Sequence, residues 1–230
     1  MDSFVPGIAR LLSQALALII GIVVHESAHA LAAHLLGDAT AQKKGRISLN
    51  PLNHIDPFGT VLLPLLLLAA GGPIFAFAKP VPIYLANLKH PKRDEVLVAL
   101  AGPASNILLS LVFAGLLGTV LAGSEHVSIA VLNWMVGFCI SSVVINLSLA
   151  FFNLIPLPPL DGSSIITPLL PESALPQWYT IQRYSMPILI ALLYLVPSVL
   201  HIDLIGIYFD HTVYPLAEFI LHGATMLGIR

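Results

Sequence analysis

Charged side chains are scarce in this 230-residue sequence, where lysine, arginine, aspartate and glutamate together make up 10% of the residues. Soluble domains carry about 25% of such residues. Here 57% of the residues are hydrophobic, and the mean hydropathy is +0.90. We therefore expect a polytopic membrane protein embedded in a lipid bilayer. The formal net charge of −2 is too small to suggest nucleic-acid binding, and we expect no such partner.

Cysteine is nearly absent as well. Cys139 stands alone, which excludes an internal disulfide framework and a zinc cluster held by thiolates. Residues 1–36 lack the basic start and the small-residue cleavage site of a signal peptide, so we expect the first apolar stretch to stay as a membrane anchor. No stretch is left for a soluble partner domain. We expect a single transmembrane domain over residues 1–230.

Long apolar stretches, in contrast, are abundant. About 20 apolar residues are enough for a helix to cross a bilayer. We predict an all-α polytopic membrane fold with a three-helix catalytic core within residues 8–165, a small re-entrant or β-like membrane element, and two additional C-terminal helices within residues 183–228. The apolar stretches behind this prediction are residues 8–36, 58–78, 95–122, 127–154, 186–200 and 204–227.

The second apolar stretch, residues 58–78, is interrupted by Pro64 and by Gly71-Gly72-Pro73. These breaks favour a segment that enters and leaves the membrane on one side, although the stretch is long enough to span. Basic residues concentrate in cytoplasmic loops, and a re-entrant segment would place seven of the ten on that side. They are Lys43, Lys44, Arg46, Lys79, Lys89, Lys92 and Arg93. We expect a multi-pass protein of the cell's inner membrane.

The pentad His25-Glu26-Ser27-Ala28-His29 lies inside the first apolar stretch. Histidines four residues apart share one face of a helix, and an HExxH pentad holds Zn²⁺ while its glutamate acts on a water molecule. From His25 to Leu36 a helix rises roughly 16 Å, so the pair is expected well inside the membrane, toward the cytoplasmic side. Ionisable residues at that depth indicate a functional site.

A hydrolytic zinc site needs a third protein ligand and one open position for water. Asp161 is the best candidate, because it follows an apolar helix that Pro156, Pro158 and Pro159 bring to an end. The dipeptide Asp161-Gly162 can turn sharply and begin another helix. Aspartate is also a favoured helix N-cap, so a purely structural role is the alternative for this residue.

Three motifs, in this order, resemble those of the site-2 protease family of intramembrane zinc metalloproteases. They are the HExxH pentad, the stretch Ala101-Gly102-Pro103-Ala104-Ser105-Asn106, and the stretch from Asn153 to Gly162, which reads NxxPxPxLDG. Residues 50–60 and 78–82 are similar to the compact prokaryotic branch of that family, which lacks PDZ and CBS domains. The resemblance covers residues 21–162.

The resemblance implies that His25, His29 and Asp161 ligate one Zn²⁺ per chain and that Glu26 is the catalytic base. It implies a metalloendopeptidase that hydrolyses peptide bonds in or near the transmembrane segments of protein or peptide substrates, as in regulated intramembrane proteolysis. Two imidazoles and one carboxylate suit Zn²⁺, although iron or cobalt could occupy the same ligands. The formation of a homo-oligomer is left open.

Three further residues are candidates for binding the substrate. Asn106 and Asn153 are neutral amides on membrane helices, and either could hold the substrate backbone or the developing oxyanion. Asn106 could instead bond across a helix interface, as polar residues in membranes do. His54 lies beside the second apolar stretch, where it either faces the site or is an interfacial histidine.

Two other classes of function fit part of the pattern. A membrane metal transporter or metal-gated channel would also place histidine and aspartate inside a membrane. Transport, however, does not require Glu26 between the histidines or the Pro-x-Pro-x-Leu-Asp-Gly break. A catalytically inactive relative acting as a membrane chaperone ranks last, because all the ligands and the base are present.

Overall fold

The computed structural model describes residues 4–62, 66 and 77–228. Three of its helices are long and apolar enough to cross a bilayer: Ala9–Leu35, Pro91–Ala122 and Ile129–Asn153. The pair Glu172–Arg183 and Ser185–Leu200, bent by 68°, meets the same criterion as one broken span. The prediction of an all-α polytopic membrane protein is confirmed.

The helices follow one another along the chain with short irregular connections. In order they are α1 (Phe4–Leu35), α2 (Thr40–Lys43), α3 (Pro91–Ala122), α4 (Ile129–Asn153), α5 (Gly162–Ile166), α6 (Leu175–Arg183), α7 (Ser185–Leu200, with a π-helical turn at Ala191–Leu195), α8 (Leu204–His211) and α9 (Val213–Gly228). Single turns of 3₁₀ helix lie at Pro51–Asn53, Leu85–Asn87, Ser124–His126, Thr167–Leu169 and Glu172–Ala174, and a π-helical segment lies at Pro57–Leu62.

The chain divides into two compact units. The first comprises Met1–Ile22, Ala104–Phe151 and Tyr208–Arg230, and the second comprises Val23–Pro103 and Phe152–Ile207. The core of the first unit is built from residues of α3, α4 and α9: Phe113, Ala114, Leu117, Cys139, Val143, Leu147, Val213, Ala217 and Ala224. The second unit contains the pentad and Asp161. The expectation of a single domain over residues 1–230 stays a prediction.

The predicted C-terminal helices are present, but the second one is divided. The sequence predicts one helix over residues 204–227, whereas the chain turns at Thr212 and forms α8 and α9. Pro215 explains the break, because it has no backbone N–H to donate to the carbonyl of His211 in a continuous helix. Pro215 is tolerated in the first turn of α9, where backbone N–H groups have no acceptor within the helix.

The two ends of the predicted re-entrant segment lie together. The backbone N–H of Lys79 donates to the carbonyl of His54 over 2.9 Å, and that of Phe77 donates to the carbonyl of Gly59 over 3.1 Å. The Thr60 hydroxyl donates to the carbonyl of Phe77 over 2.9 Å. A segment that crossed the bilayer would hold its ends about 30 Å apart. The described ends therefore favour the re-entrant topology over a full crossing.

A buried arginine bridges the two ends of this segment. Arg46 is 3% exposed, and its guanidinium donates to the carbonyls of Asn53 and Lys79, which flank the segment on either side. Four backbone and side-chain hydrogen bonds thus join the two flanks, and the bond from Arg46 to Asn53 lies within the first flank. Basic residues before and after the segment consequently lie at a similar position along the direction that crosses the membrane.

Within the described part of the predicted membrane element, residues 58–62 and 66 are helical and residues 77–78 are irregular, and no β-strand occurs within residues 4–62, 66 and 77–228. The β-like form is therefore not found in residues 58–62 or 77–78, and the rest of the element, residues 63–65 and 67–76, lies outside the described residues. Asp56 explains the helical start, because its carboxylate accepts hydrogen bonds from the backbone N–H groups of Phe58 (3.0 Å) and Gly59 (2.7 Å).

Asp38 links the connection before α3 to the end of α1 through hydrogen bonds. Its buried carboxylate accepts hydrogen bonds from the backbone N–H groups of Thr40 (3.0 Å) and Tyr84 (2.7 Å), from the Thr40 hydroxyl, and from the Asn87 amide (3.0 Å). Burial raises the pKa of Asp38, but these donors outweigh burial and hold the pKa at about 2. The ionised form is therefore the one that stabilises the fold.

Asp38→Asn is expected to lower the free energy of unfolding by about 2 kcal/mol at pH 7, because the new amide turns a donor toward existing donors. Since the pKa of Asp38 is lower in the folded state, its contribution is complete above pH 4 and is lost as the pH falls toward 2. Unfolding by sodium dodecyl sulfate in mixed micelles measures both effects. The matched control is Asp203→Asn, at an exposed aspartate. Equal stability of the two variants would contradict the assigned role of Asp38.

Candidate metal centre

The two histidines of the pentad lie one turn apart in α1 with their ring nitrogens together. Each is 6% exposed, and the Nε2 atoms of His25 and His29 are 3.0 Å apart. The ring centroids are separated by 4.6 Å, and the ring planes meet at 82°. Helical spacing alone accounts for the shared face, since residues four apart are neighbours along a helix. Two nitrogens at this distance form one side of a candidate metal site.

Asp161 completes the group from a distant part of the chain. Its Oδ2 atom is 3.1 Å from Nε2 of His25 and 3.3 Å from Nε2 of His29. Asp161 stands immediately before α5, at the N-cap position, but its side chain makes no capping hydrogen bond with that helix. The carboxylate is directed at the histidines instead. The helix-cap role that the sequence left open is therefore not the role of this side chain.

The loop between α4 and α5 depends on a glycine to bring Asp161 into place. A Cβ atom added at Gly162 would stand 2.5 Å from the carbonyl oxygen of Ile155 and closer still to that of Leu154. Such contacts are shorter than any real Cβ makes, so a larger residue would push the loop open. Gly162 thus allows the loop to fold back tightly enough for its neighbour to reach α1.

The three donor atoms have the spacing of ligands around one ion. Ligands 2.0–2.1 Å from a tetrahedral zinc ion stand about 3.4 Å apart. The distances among the Nε2 atoms of His25 and His29 and Oδ2 of Asp161 are 3.0, 3.1 and 3.3 Å. These three residues form the one group of histidine, cysteine, aspartate or glutamate side chains within residues 4–62, 66 and 77–228 that could hold a metal ion in this way. Three protein ligands leave one tetrahedral position open.

A backbone carbonyl of α3 orients one of the imidazoles. Nδ1 of His29 lies 2.7 Å from the carbonyl oxygen of Val98, and an N–H at Nδ1 donates to that oxygen. This assignment of the tautomer leaves the lone pair on Nε2, the nitrogen turned toward Asp161. Hydrogen bonding of this kind is typical of histidine ligands, because it fixes the ring and makes the ligating nitrogen more basic.

Gly102 is a site residue whose role the sequence did not reveal. It lies in α3, and a Cβ atom added there would stand 2.6 Å from Nε2 and Cε1 of His25 and nearer still to Nε2 of His29. A side chain at this position would occupy the space around the ligand atoms. The available signal was a glycine inside a long helix, where glycine is less favourable than alanine by about 1 kcal/mol.

Glu26 occupies the position next to His25 in α1 and is half-buried. It is not one of the three clustered donors, so its carboxylate is left for another task. The nearby cation is Arg46, whose pKa burial lowers while the charge of Glu26 raises it. The base proposed from the pentad therefore lies within the electrostatic range of a buried guanidinium.

The three predicted substrate-binding residues have different surroundings in the structure. Asn106 is buried, and its Nδ2 donates to the carbonyl of Gly21 (3.1 Å) and to Oδ1 of Asn146 (2.9 Å). These bonds link α3 to α1 and α4, which supports the helix-interface role that the sequence left open. Asn153 is the last residue of α4 and is half-buried. A contact of either amide with substrate stays a prediction.

His54 is buried beside the middle of the pentad. Its Nε2 donates to the carbonyl of Ser48 over 2.8 Å, and it lies 3.4 Å from the hydroxyl of Ser27. Ser27 in turn donates to the same carbonyl over 2.6 Å. His54 therefore anchors the chain after α2 against α1 and is not among the clustered metal donors. Its predicted contact with substrate stays untested.

The fold and the metal centre together define a class: a membrane protein with an HExxH helix and a distal aspartate, as in membrane-embedded metallopeptidases. Residues 120–196, which include Asp161, match the model of "Peptidase family M50". The chain is 38% identical over 175 residues to "Putative zinc metalloprotease YwhC" of Bacillus subtilis. This match covers 76% of this chain and 77% of that protein. It is 30% identical over 156 residues to "Putative zinc metalloprotease Rip2" of Mycolicibacterium smegmatis, with coverage of 67% and 56%. No solved structure matches.

The chain belongs to peptidase family M50, the site-2 protease family of metalloproteases. The resemblance inferred from its three motifs is thereby confirmed. The matched stretch of the Rip2 protein is little more than half of its length, whereas the match to the YwhC protein covers most of both chains.

Gly102→Ala is expected to weaken zinc binding by about tenfold or more, because the new methyl group would displace the imidazoles of His25 and His29. The control is Gly115→Ala in the same helix, where an added Cβ has no atom within 4 Å. Both changes raise helix propensity equally, so the expected difference between the two variants comes from the contacts of the added methyl group. Zinc competition with a chelating dye measures the affinity. Equal zinc affinities in the two variants would contradict the role assigned to Gly102.

Proposed function

We propose that this protein is an intramembrane zinc metalloprotease that hydrolyses peptide bonds in or near the transmembrane segments of membrane-protein substrates. The proposal is carried by one observation: three donor atoms lie 3.0–3.3 Å apart around a membrane-spanning helix, with an unused carboxylate at the adjacent position. Membership of a metalloprotease family supports it. No observation in the described residues favours metal transport.

His25, His29 and Asp161 hold the zinc ion in this proposal. A bound zinc ion supplies Lewis acidity, which polarises a peptide carbonyl and makes a water molecule easier to deprotonate. The chain contributes a dry setting for that chemistry, since both histidines are 6% exposed. It also contributes ligand orientation, through the bond between His29 and the Val98 carbonyl.

Glu26 moves the protons in this proposal. Its carboxylate accepts a proton from the attacking water and later donates a proton to the amine that leaves. Its place next to His25 in α1 keeps it beside the ligands without being one of them. Asn106, Asn153 and His54 are proposed to line the path of the substrate backbone.

The active site lies toward the cytoplasmic side of the inner membrane. The joined flanks of the re-entrant segment support this orientation, because they bring the basic stretches around residues 43–46 and 79–93 to one level. Lys and Arg concentrate on the cytoplasmic side of membrane proteins. The connection between α3 and α4, residues 123–128, contains no lysine or arginine and would face the opposite side.

The substrate is a membrane-spanning protein or peptide that has to unwind locally. A transmembrane helix satisfies its backbone groups internally, so a scissile amide becomes reachable only after those hydrogen bonds open. Release of membrane-tethered proteins by regulated intramembrane proteolysis is the biological outcome that such chemistry would serve.

Glu26→Gln is expected to keep stoichiometric zinc while lowering the rate of cleavage by about 10²–10⁴-fold, because glutamine cannot accept the proton. The measurement pairs metal analysis with cleavage of a transmembrane peptide in detergent or liposomes. The control is Glu125→Gln, at an exposed glutamate in the connection between α3 and α4. Full turnover by the zinc-loaded Glu26→Gln variant would rule out Glu26 as the base.

A further inference from the structure

The last helix, α9, packs in the first unit against α3 and α4, two helices that are long and apolar enough to cross a bilayer. The Tyr208 hydroxyl, in the preceding α8, donates to the carbonyl of Phe151 near the end of α4 over 3.2 Å. At the other end of α9, a Cβ atom added at Gly228 would stand 2.8 Å from the Gly118 carbonyl and from Leu121, near the end of α3. The α8–α9 pair thus extends along the spans from one end to the other. Residues midway along it lie at membrane depth.

One face of α9 is fully used by the fold. Val213 is 0% exposed, Ala217 is 3% exposed and Ala224 is 5% exposed, and all three belong to the core shared with α3 and α4. The opposite face is open. Phe219 and Met226 are exposed on it, Phe219 by 75%. An open hollow of about 670 Å³ lies on this side, lined by Pro215, Glu218, Phe219, Leu221, His222 and Thr225.

Two ionisable residues stand in the middle of this open face. Glu218 and His222 are one turn apart, exposed, and without a side-chain hydrogen bond or ion pair to any part of the chain that the structure describes. An acid or a histidine at membrane depth is costly against lipid, and such residues almost always meet a partner group or a water-filled cavity. The fold provides no such partner within the described residues.

Gly223 gives an independent reason to expect a neighbour on this face. It is exposed beside His222, and an added Cβ would have no atom within 4 Å. Packing within the chain therefore does not require glycine here, although glycine in a helix is less favourable than alanine by about 1 kcal/mol. Small residues on membrane helices permit close approach of a second helix.

We propose that the outer face of α9, defined by Glu218, Phe219, His222, Gly223 and Met226, is the interface through which two copies of this chain form a dimer in the membrane. The charge pattern indicates that the binding partner on this face is a second copy of the chain. In a two-fold interface each contact occurs twice, so a face with one acid and one base a turn apart is complementary to itself. Glu218 of each copy then accepts a hydrogen bond from His222 of the other.

This assignment goes beyond the proteolytic proposal and does not depend on it, because it concerns a surface of the first unit and a property, the oligomeric state, that can be measured without substrate.

The first experiment exchanges the charges between two copies. Glu218→Lys and His222→Glu are made separately with different affinity tags, and each is purified alone and after co-expression. Alone, each variant faces like groups across the interface, so its dimer is expected to weaken about tenfold or more. Together the two variants are complementary in both contacts, and mixed dimers are expected to co-purify. Single-molecule photobleaching in liposomes counts the copies.

The second experiment tests proximity without altering the charges. Phe219→Cys is expected to give a disulfide-linked dimer on mild oxidation in membranes. The control is Leu108→Cys on α3, at a similarly exposed site (64%) away from α9. Native Cys139 is buried, so the unmodified chain supplies the background. Cross-linking of the Phe219→Cys variant alone supports the interface.

Three results would overturn the proposal: a monomeric wild-type protein in liposomes, equal cross-linking at positions 219 and 108, or no preference for mixed dimers over the two parent variants. A variant that failed to fold would lose zinc and would be replaced by Glu218→Gln, for which weaker dimerisation is expected with zinc retained.

Discussion

The close approach of two imidazoles and one carboxylate is the constraint on which the rest of this structure depends. Two imidazoles and a carboxylate lie within 3.3 Å of one another inside a membrane protein, and a metal ion held among them would be the largest local charge. Several local features serve that requirement. Gly102 leaves room beside the ring nitrogens, Gly162 lets the distal loop close, and the Val98 carbonyl fixes one tautomer. Each of these residues matters to the site through the position of the three donor atoms.

A second constraint comes from the membrane itself, which requires that irregular backbone be enclosed by protein. The chain meets this requirement with hydrogen bonds that join the ends of separate segments. Arg46 holds the two flanks of the predicted re-entrant segment, and Asp38 holds residues 84–87 to the end of α1. Both side chains are buried, and each forms two hydrogen bonds with backbone groups of the segments that it joins. These hydrogen bonds help to position the helix that contains the pentad, and neither side chain is one of the clustered metal donors.

Part of this arrangement could be predicted from the sequence, because it depends on local periodicity and on residue chemistry. Helical spacing put His25 and His29 on one face, and the scarcity of acids in the membrane singled out Asp161 as their partner. Contacts between residues far apart in the chain were not accessible in that way. The role of Gly102 depends on α3 packing against α1, and that of Asp38 on a loop some 46 residues later. The apolar stretch continues through Thr212 and predicts one helix over residues 204–227, whereas Pro215 divides it into two.

The central claim is that His25, His29 and Asp161 together hold the ion, and metal analysis tests it most directly. Purified wild type is compared with His25→Ala, Asp161→Ala and His34→Ala, the last being a control histidine in the final turn of α1. The account predicts about one zinc per chain in the wild type and in His34→Ala, and its loss in both other variants. Full zinc in Asp161→Ala, or loss of zinc in His34→Ala, would contradict the assigned ligand set.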